Sequence, residues 1–74
     1  IRGRVLMDTK ELNSILIYCK VNDIYEIQYV ESSGRVSSEL QNTMELYCFK
    51  YNKYIPVKDI IKTAKEHGYN KDLG

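Results

Sequence analysis

The fold of this chain depends on the stretch ILIYCKVNDIYEIQYV, residues 15–30. It contains two runs rich in Ile, Val and Tyr, residue types that are favoured in strands, with Asn22 and Asp23 between them. A two-residue loop at these positions would set Tyr18 opposite Ile27 and would create one apolar face of cross-strand pairs. We therefore predict an antiparallel β-hairpin over residues 15–30.

A helix over residues 9–21 is the alternative for the first half of this stretch. Asp8 followed by Glu11 has the spacing of a helix N-cap. Four apolar residues would then share one side of the helix: Leu12, Ile15, Leu16 and Cys19. Such a helix would place Ile17 and Val21 on its polar side, and for that reason the hairpin is preferred.

Residues 38–51 allow two interpretations that the sequence leaves open. Ser38 and Gln41 have the spacing of a capping box, which predicts a helix. One stripe of that helix would carry Leu40, Met44, Tyr47, Cys48 and Tyr51. Alternatively, the Leu, Tyr, Cys and Phe content of residues 46–51 predicts a strand that turns at residues 52–53.

A C-terminal amphipathic helix is predicted between Pro56 and Gly68. Proline suits the first turn of a helix, a strand that contains proline must lie at a sheet edge or end there, and glycine suits the residue just past a helix end. The apolar stripe between them consists of Val57, Ile60, Ile61 and Ala64. His67, the one histidine of the chain, is expected to be structural. Together these elements predict an α+β fold, a hairpin or sheet with a C-terminal helix and, as an option, a second helix within residues 38–51.

The length of the chain, 74 residues, fits one small domain over residues 1–74. The chain begins with Ile1 instead of Met, and residues 1–7 are expected to be a linker or an expression remnant. The longest apolar run, Ile15–Cys19, is far shorter than the roughly 20 residues that a membrane-spanning helix needs. No membrane association is therefore expected.

The cysteines bear on metal binding and on the cellular compartment. Cys19 and Cys48 form no CxxC pair, and with His67 they supply only three of the four ligands of a structural zinc site. No metal or cofactor is expected, and both thiols are predicted to be buried and reduced in a cytoplasmic protein. Abundant Ile, Asn, Lys and Tyr beside few Ala and Pro is what AT-rich coding produces, which suits a phage or another mobile element.

Catalytic groups are scarce in this sequence. The glycines begin neither a GxGxxG nor a GxxxxGK run, so that phosphate-binding motifs are missing. Cys48 and His67 could pair as nucleophile and base, but no third group is indicated. We expect no enzymatic activity.

Charge and aromatic residues are concentrated in residues 47–65, which carry a net charge of +4 in a chain whose total is +1. The candidate binding residues are Tyr47, Phe49, Lys50, Tyr51, Lys53, Tyr54, Lys58, Lys62 and Lys65. The chain has seven Tyr beside one Phe and no Trp, and tyrosine buries a large area while tolerating water at its hydroxyl. The preferred hypothesis is a small protein-interaction module, a regulator, inhibitor or adaptor that binds a larger protein partner, with a homodimer as a further option.

Nucleic-acid binding is the alternative hypothesis for the same segment. Its rings would stack on the bases of a single strand while its lysines contact phosphates. The near-neutral total charge lowers the weight of this hypothesis, because dedicated binders are usually strongly basic. The two hypotheses differ in the expected salt dependence, and in whether the lysines must share a surface with exposed tyrosines.

Overall fold

A computed structural model describes residues 7–31 and 34–70 of the chain. Its helices and strands confirm the predicted α+β class. In chain order they are β1 (Met7–Asp8), α1 (Thr9–Val21), β2 (Arg35–Val36), α2 (Ser38–Thr43), β3 (Glu45–Cys48), β4 (Lys53–Pro56) and α3 (Val57–Glu66). The strands form two antiparallel pairs, β1 with β2 and β3 with β4.

Helix α1 shows that the hairpin predicted for residues 15–30 is wrong and that the alternative, a helix over residues 9–21, is right. The side chain of Asp8 caps the helix, since the Glu11 backbone N–H donates to Asp8 Oδ1 at 2.8 Å. The residues expected on the buried side do lie in the core: Leu12, Ile15, Leu16 and Cys19. The helix leaves Ile17 43% and Val21 77% exposed. The cap and four buried side chains thus outweigh two exposed apolar residues of high β-propensity.

Residues 24–30, predicted as the second strand of the hairpin, belong instead to an irregular segment over residues 22–31. Its one strand-like contact in the described chain is an isolated antiparallel bridge between Ile27 and Cys48. Asn13 of α1 fixes the segment's end, because its amide donates to Val30 O at 2.9 Å and its Oδ1 accepts from Val30 N at 2.8 Å. The segment therefore runs from the end of α1 to the free side of β3 without forming a strand.

Residues 38–51 combine both interpretations that the sequence left open. The helix α2 is capped by Ser37, one residue before the predicted cap, and the Leu40 N–H donates to its Oγ at 3.1 Å. At Met44 the backbone is extended, so the helical stripe predicted to continue to residue 51 is wrong. Strand β3 follows, and the hairpin turns through residues 49–52 with Asn52 at a φ of 55°.

Helix α3 confirms the C-terminal prediction. Pro56 precedes its first residue, and Val57, Ile60 and Ala64 are buried. Gly68 follows the C-cap with a φ of 109°, and the N–H of Tyr69 donates to Ala64 O at 2.9 Å, the bond that closes a Schellman motif. Both proline and glycine thus mark the ends of this helix for the reasons that the sequence indicated.

The core lies between α1, α3 and the inner face of the β3–β4 hairpin. Its buried apolar residues are Met7, Leu12, Ile15, Leu16, Cys19, Ile27, Val36, Cys48, Ile55, Val57, Ile60 and Ala64. Residues 1–6 of the predicted linker lie outside the described residues, whereas Met7 pairs with Val36 and is buried. Both cysteines are buried, as predicted, and their thiols are free. Within the described ranges, no helix is long and apolar enough to cross a bilayer.

Candidate functional site

The outer face of the β3–β4 hairpin carries a row of aromatic rings. Side chains alternate along a strand, so that Cys48 and Ile55 face the core while Tyr47 and Tyr54 face outward. These two tyrosines are cross-strand partners whose ring centroids lie 5.2 Å apart in an edge-to-face arrangement. Phe49 packs edge-on against Tyr47, also with 5.2 Å between centroids. We refer to Tyr47, Phe49 and Tyr54 as the aromatic face.

The rings of the aromatic face are both exposed and held in place. Tyr54 is 63% and Phe49 51% exposed, and the half-buried Tyr47 lies between them. The Tyr47 hydroxyl donates to Asn52 Oδ1 at 3.3 Å, which ties the central ring to the turn. Edge-to-face pairs contribute roughly 0.5–1.5 kcal/mol each. The three rings are thus packed against one another within the chain itself.

A groove of about 540 Å³ runs beside β4, on the side away from β3. One wall is the strand itself, and the other is a flank of α3 formed by Asp59, Thr63 and His67. We call this cavity the β4 groove; its lining residues are Asn22, Asp23, Ile24, Tyr25, Tyr51, Lys53, Tyr54, Ile55, Pro56, Asp59, Thr63 and His67. Tyr54 belongs to both the aromatic face and the groove, so that the two surfaces are continuous.

Tyr25 and Tyr51 form the end of the groove near the hairpin turn. Their ring centroids lie 6.1 Å apart in an edge-to-face arrangement. The hydroxyl of Tyr25 lies 3.4 Å from Thr63 Oγ1, which connects the irregular segment to α3. This end of the groove therefore presents both aromatic rings and hydroxyl groups. It can pack against apolar groups and can also form hydrogen bonds.

Lys50, one of the predicted binding lysines, is paired within the chain. Its Nζ lies 2.9 Å from Asp23 Oδ1 and also donates to the Asp23 carbonyl oxygen at 2.6 Å. This hydrogen bond to Asp23 raises the pKa of Lys50. The ammonium group also lies 5.7 Å from the centroid of the Tyr51 ring. Because Asp23 neutralises it, Lys50 adds little positive potential to the hairpin.

The three helical lysines of the predicted site lie apart from the groove. At 100° per residue, Lys58, Lys62 and Lys65 project from one flank of α3, and the groove-lining flank is on the other side of its buried stripe. All three are exposed. The structure thus brings together six of the predicted residues, Tyr47, Phe49, Lys50, Tyr51, Lys53 and Tyr54, and separates the helical lysines from them.

Several residues of this region were not predicted from the sequence as part of a binding site. Asp59, Thr63 and His67 repeat every four residues on one helix flank, a spacing that the predicted helix already contained. Tyr25 reaches the groove only through the tertiary fold. Tyr29 lies beside Tyr47 and Phe49 around a shallow depression of about 310 Å³.

The one histidine and the two cysteines lie in different environments, because His67 is exposed and both cysteines are buried. His67 is exposed at the end of α3, where its Nδ1 lies 3.1 Å from Thr63 O and its carbonyl oxygen accepts from the Tyr18 hydroxyl at 2.8 Å. Cys48 is fully buried. Burial raises the pKa of Cys19 to about 11, with a smaller contribution from Cys48. Among residues 7–31 and 34–70, no group of three His, Cys, Asp or Glu side chains is placed to hold a metal ion.

A second apolar groove, of about 550 Å³, lies along the exposed side of α1. Ile17, Tyr18, Val21 and Tyr69 contribute its apolar surface. The Tyr18 and Tyr69 rings pack edge-to-face with 5.3 Å between centroids. We call this cavity the α1 groove. Among the described residues, Asn22 alone lines both grooves, so a substitution elsewhere in the α1 groove leaves the lining of the β4 groove unchanged.

Comparison with known proteins adds nothing to this geometry. No protein-family model matches the chain, and neither a curated protein nor a solved structure shows significant similarity to it.

Proposed function

We propose that this chain is a small non-enzymatic protein-interaction module that binds a larger protein partner through its aromatic face. The observation that carries the proposal is the row of packed, exposed rings at Tyr54, Tyr47 and Phe49 on a hairpin. Aromatic residues are enriched at the centres of protein interfaces, where a few of them supply most of the binding energy. Rings that are already packed lose little side-chain freedom on binding, which lowers the entropic cost of association.

The distribution of charge supports a protein partner over a nucleic acid. A nucleic-acid site needs lysines beside its stacking rings, because phosphate contacts supply most of the affinity. Here Lys50 is neutralised by Asp23, and the three helical lysines lie on the flank of α3 away from the groove. Lys53 is the remaining predicted lysine at the hairpin. A cytoplasmic setting is part of the proposal, supported by two buried cysteines whose thiols are free.

The proposal is tested by capturing partners on the immobilised chain from an extract of the cells that express this protein. The test variant replaces two exposed rings, Phe49→Ser with Tyr54→Ser, and the control variant, Val21→Ser, removes an apolar side chain of similar or greater exposure from the α1 groove. We expect one partner to be retained by the wild type and the control and lost by the test variant. Because the test variant breaks two edge-to-face pairs and should lose about 1–3 kcal/mol of stability, capture is carried out where circular dichroism shows all three chains to be folded. Equal capture by all three chains would contradict the proposal.

Two further measurements separate the alternatives. Fluorescence anisotropy with labelled single-stranded DNA and RNA at two salt concentrations would show affinity that falls steeply with salt if the rings serve nucleic acid. Sedimentation of the chain alone would show a dimer if the aromatic face pairs with itself. If the double serine variant abolishes nucleic-acid binding, the aromatic face binds nucleic acid and not a larger protein. If it abolishes the dimer, the aromatic face binds a second copy of the chain.

A further inference from the structure

The hydrogen bonds of the hairpin leave one main-chain edge open. The Val57 N–H donates to Met44 O at 2.9 Å, and the register places Tyr47 opposite Tyr54. Hydrogen-bonded and non-hydrogen-bonded pairs alternate along an antiparallel ladder, so this bond makes Tyr47 and Tyr54 a non-hydrogen-bonded pair. The N–H and C=O of Tyr54 therefore point away from β3.

The two edges of the hairpin differ in what covers them. On the β3 side, Phe49 N–H donates to Glu26 O at 2.8 Å, and Ile27 bridges Cys48. On the β4 side, no residue in the described part of the chain pairs with the main-chain groups of Tyr54. An unpaired strand edge of this kind is a template for a further strand.

The β4 groove gives the open edge a second wall. All four residues of β4 line the groove, and Asp59, Thr63 and His67 of α3 face them. An extended chain lying in the groove would thus have main-chain partners on one side and side-chain partners on the other. Added strands gain affinity from main-chain bonds and specificity from pockets that receive alternate side chains.

We propose that the β4 groove binds an extended peptide segment of the partner protein as an added strand paired with Tyr54. This inference rests on the proposed function and specifies how the partner binds. The peptide residue opposite Tyr54 projects onto the aromatic face, because directly paired side chains share a face of the sheet. Its two neighbours project into the groove, toward α3.

Charge indicates which side chain the groove accepts. Asp59 makes no ion pair with any described residue, so it is available to a basic side chain of the peptide. A second copy of this chain would bring its own Asp59 together with its own Lys53, so charge gives it no advantage over a basic peptide. Pro56 has no N–H and Lys53 is charged, two features that keep the added strand short.

The probe is a phage-displayed library of random peptides of about seven residues, a usual strand length. Selected peptides are then titrated against the wild type and against a chain whose Tyr54 amide nitrogen is methylated. That chain is accessible by ligating synthetic residues 48–74, which begin with Cys48, to a thioester of residues 1–47. Because the Tyr54 N–H makes no bond to any residue that the structure describes, we expect the methylated chain to melt like the wild type.

Methylation is expected to weaken peptide binding about fivefold to tenfold, the value of one hydrogen bond. In the wild type, the same peptides should slow hydrogen exchange at the Tyr54 amide, a measurement that stands even if the methylated chain folds poorly. Asp59→Asn should weaken binding of basic peptides several-fold, and its matched control on α3, Glu66→Gln, should leave it unchanged, since Glu66 lies outside the groove.

Three outcomes would overturn strand addition: no peptide selected above background, selected peptides that bind the methylated chain equally well, or a dimer of the wild type that methylation dissociates. The proposed function has its own outcome. If the captured partner is lost by the Phe49→Ser and Tyr54→Ser double variant yet retained by the methylated chain, the aromatic face binds the partner without strand addition.

Discussion

Replacing Asp8 with alanine tests the helix on which this fold is built. The substitution removes the acceptor of the 2.8 Å bond from the Glu11 N–H and a negative charge at the positive end of α1. Loss of an N-cap side chain costs about 1 kcal/mol, and loss of a favourable charge about 0.3–1 kcal/mol more. We therefore expect Asp8→Ala to lower the free energy of unfolding by about 1.3–2 kcal/mol, or the melting temperature by roughly 5–16 °C.

The assay is urea and thermal unfolding followed by far-UV circular dichroism. Asp8→Asn keeps a capping oxygen without the charge, and we expect it to lose only the smaller, electrostatic part. Glu26→Ala removes an exposed carboxylate from the irregular segment and should change stability by less than about 0.5 kcal/mol. An equally small effect of Asp8→Ala would contradict a helix capped at residue 8, because a hairpin over residues 15–30 needs no cap there.

Two other predictions concern the helix end and the buried thiols. Gly68→Ala should destabilise by about 1–3 kcal/mol, since the φ of 109° is unfavourable for alanine and the new Cβ would lie 3.2 Å from Tyr18 Oη. The control is Gly34→Ala, because Gly34 also has a positive φ, 126°, but a Cβ there would meet no described atom within 4 Å. Gly68→Ala should therefore lower the melting temperature more than Gly34→Ala does. Equal decreases would show that the Tyr18 side chain moves aside without an energetic cost. Burial raises the pKa of Cys19 from 9.0 to about 11, so the unfolded chain ionises first as pH rises. The stabilisation from the protonated Cys19 thiol is complete below about pH 9 and is lost as the pH rises toward 11. The midpoint of urea unfolding should therefore fall over this pH range in the wild type by more than it falls in Cys19→Ala. The same pH dependence of the midpoint in both chains would contradict this prediction.

Helix α3 could be predicted because its signals are local and agree with one another. Pro56, Gly68 and a single apolar stripe all indicate the same bounds, and no competing pattern overlaps them. Helix α1 was missed although its cap was recognised. Ile17 and Val21 suit a strand, and the sequence does not show that the fold can leave both exposed.

The boundary at Met44 shows a second limit of local patterns. Ser37 and the following residues favour a helix, and residues 45–48 favour a strand, so each interpretation of residues 38–51 described half of the segment. The chain becomes extended at Met44, where its carbonyl accepts from Val57 N–H at 2.9 Å. That partner is 13 positions away, and such a long-range bond leaves no local trace.

The candidate site was predictable only in part, because its residues come from more than one element of structure. Residues 47–54 are close in sequence and remain close on the hairpin, so their aromatic residues could be identified as one surface. Charges further along the chain follow the helix instead, and the rotation of α3 points Lys58, Lys62 and Lys65 away from the groove. Neighbours in sequence share a surface only within one element of structure.

Three features follow from the amino-acid sequence without the structure: the α+β class, the C-terminal helix with both of its ends, and the aromatic composition of the hairpin. These depend on backbone stereochemistry and on periodicity within a single element, which act over a few residues. The tertiary structure alone decided that residues 9–21 are helical, that Asp23 neutralises Lys50, and that Tyr54 presents an open strand edge to a groove walled by α3. Each of these results depends on contacts between residues that are distant in the chain. The free energy of these contacts outweighs helix and strand propensities, which are on the order of a few tenths of a kcal/mol per residue.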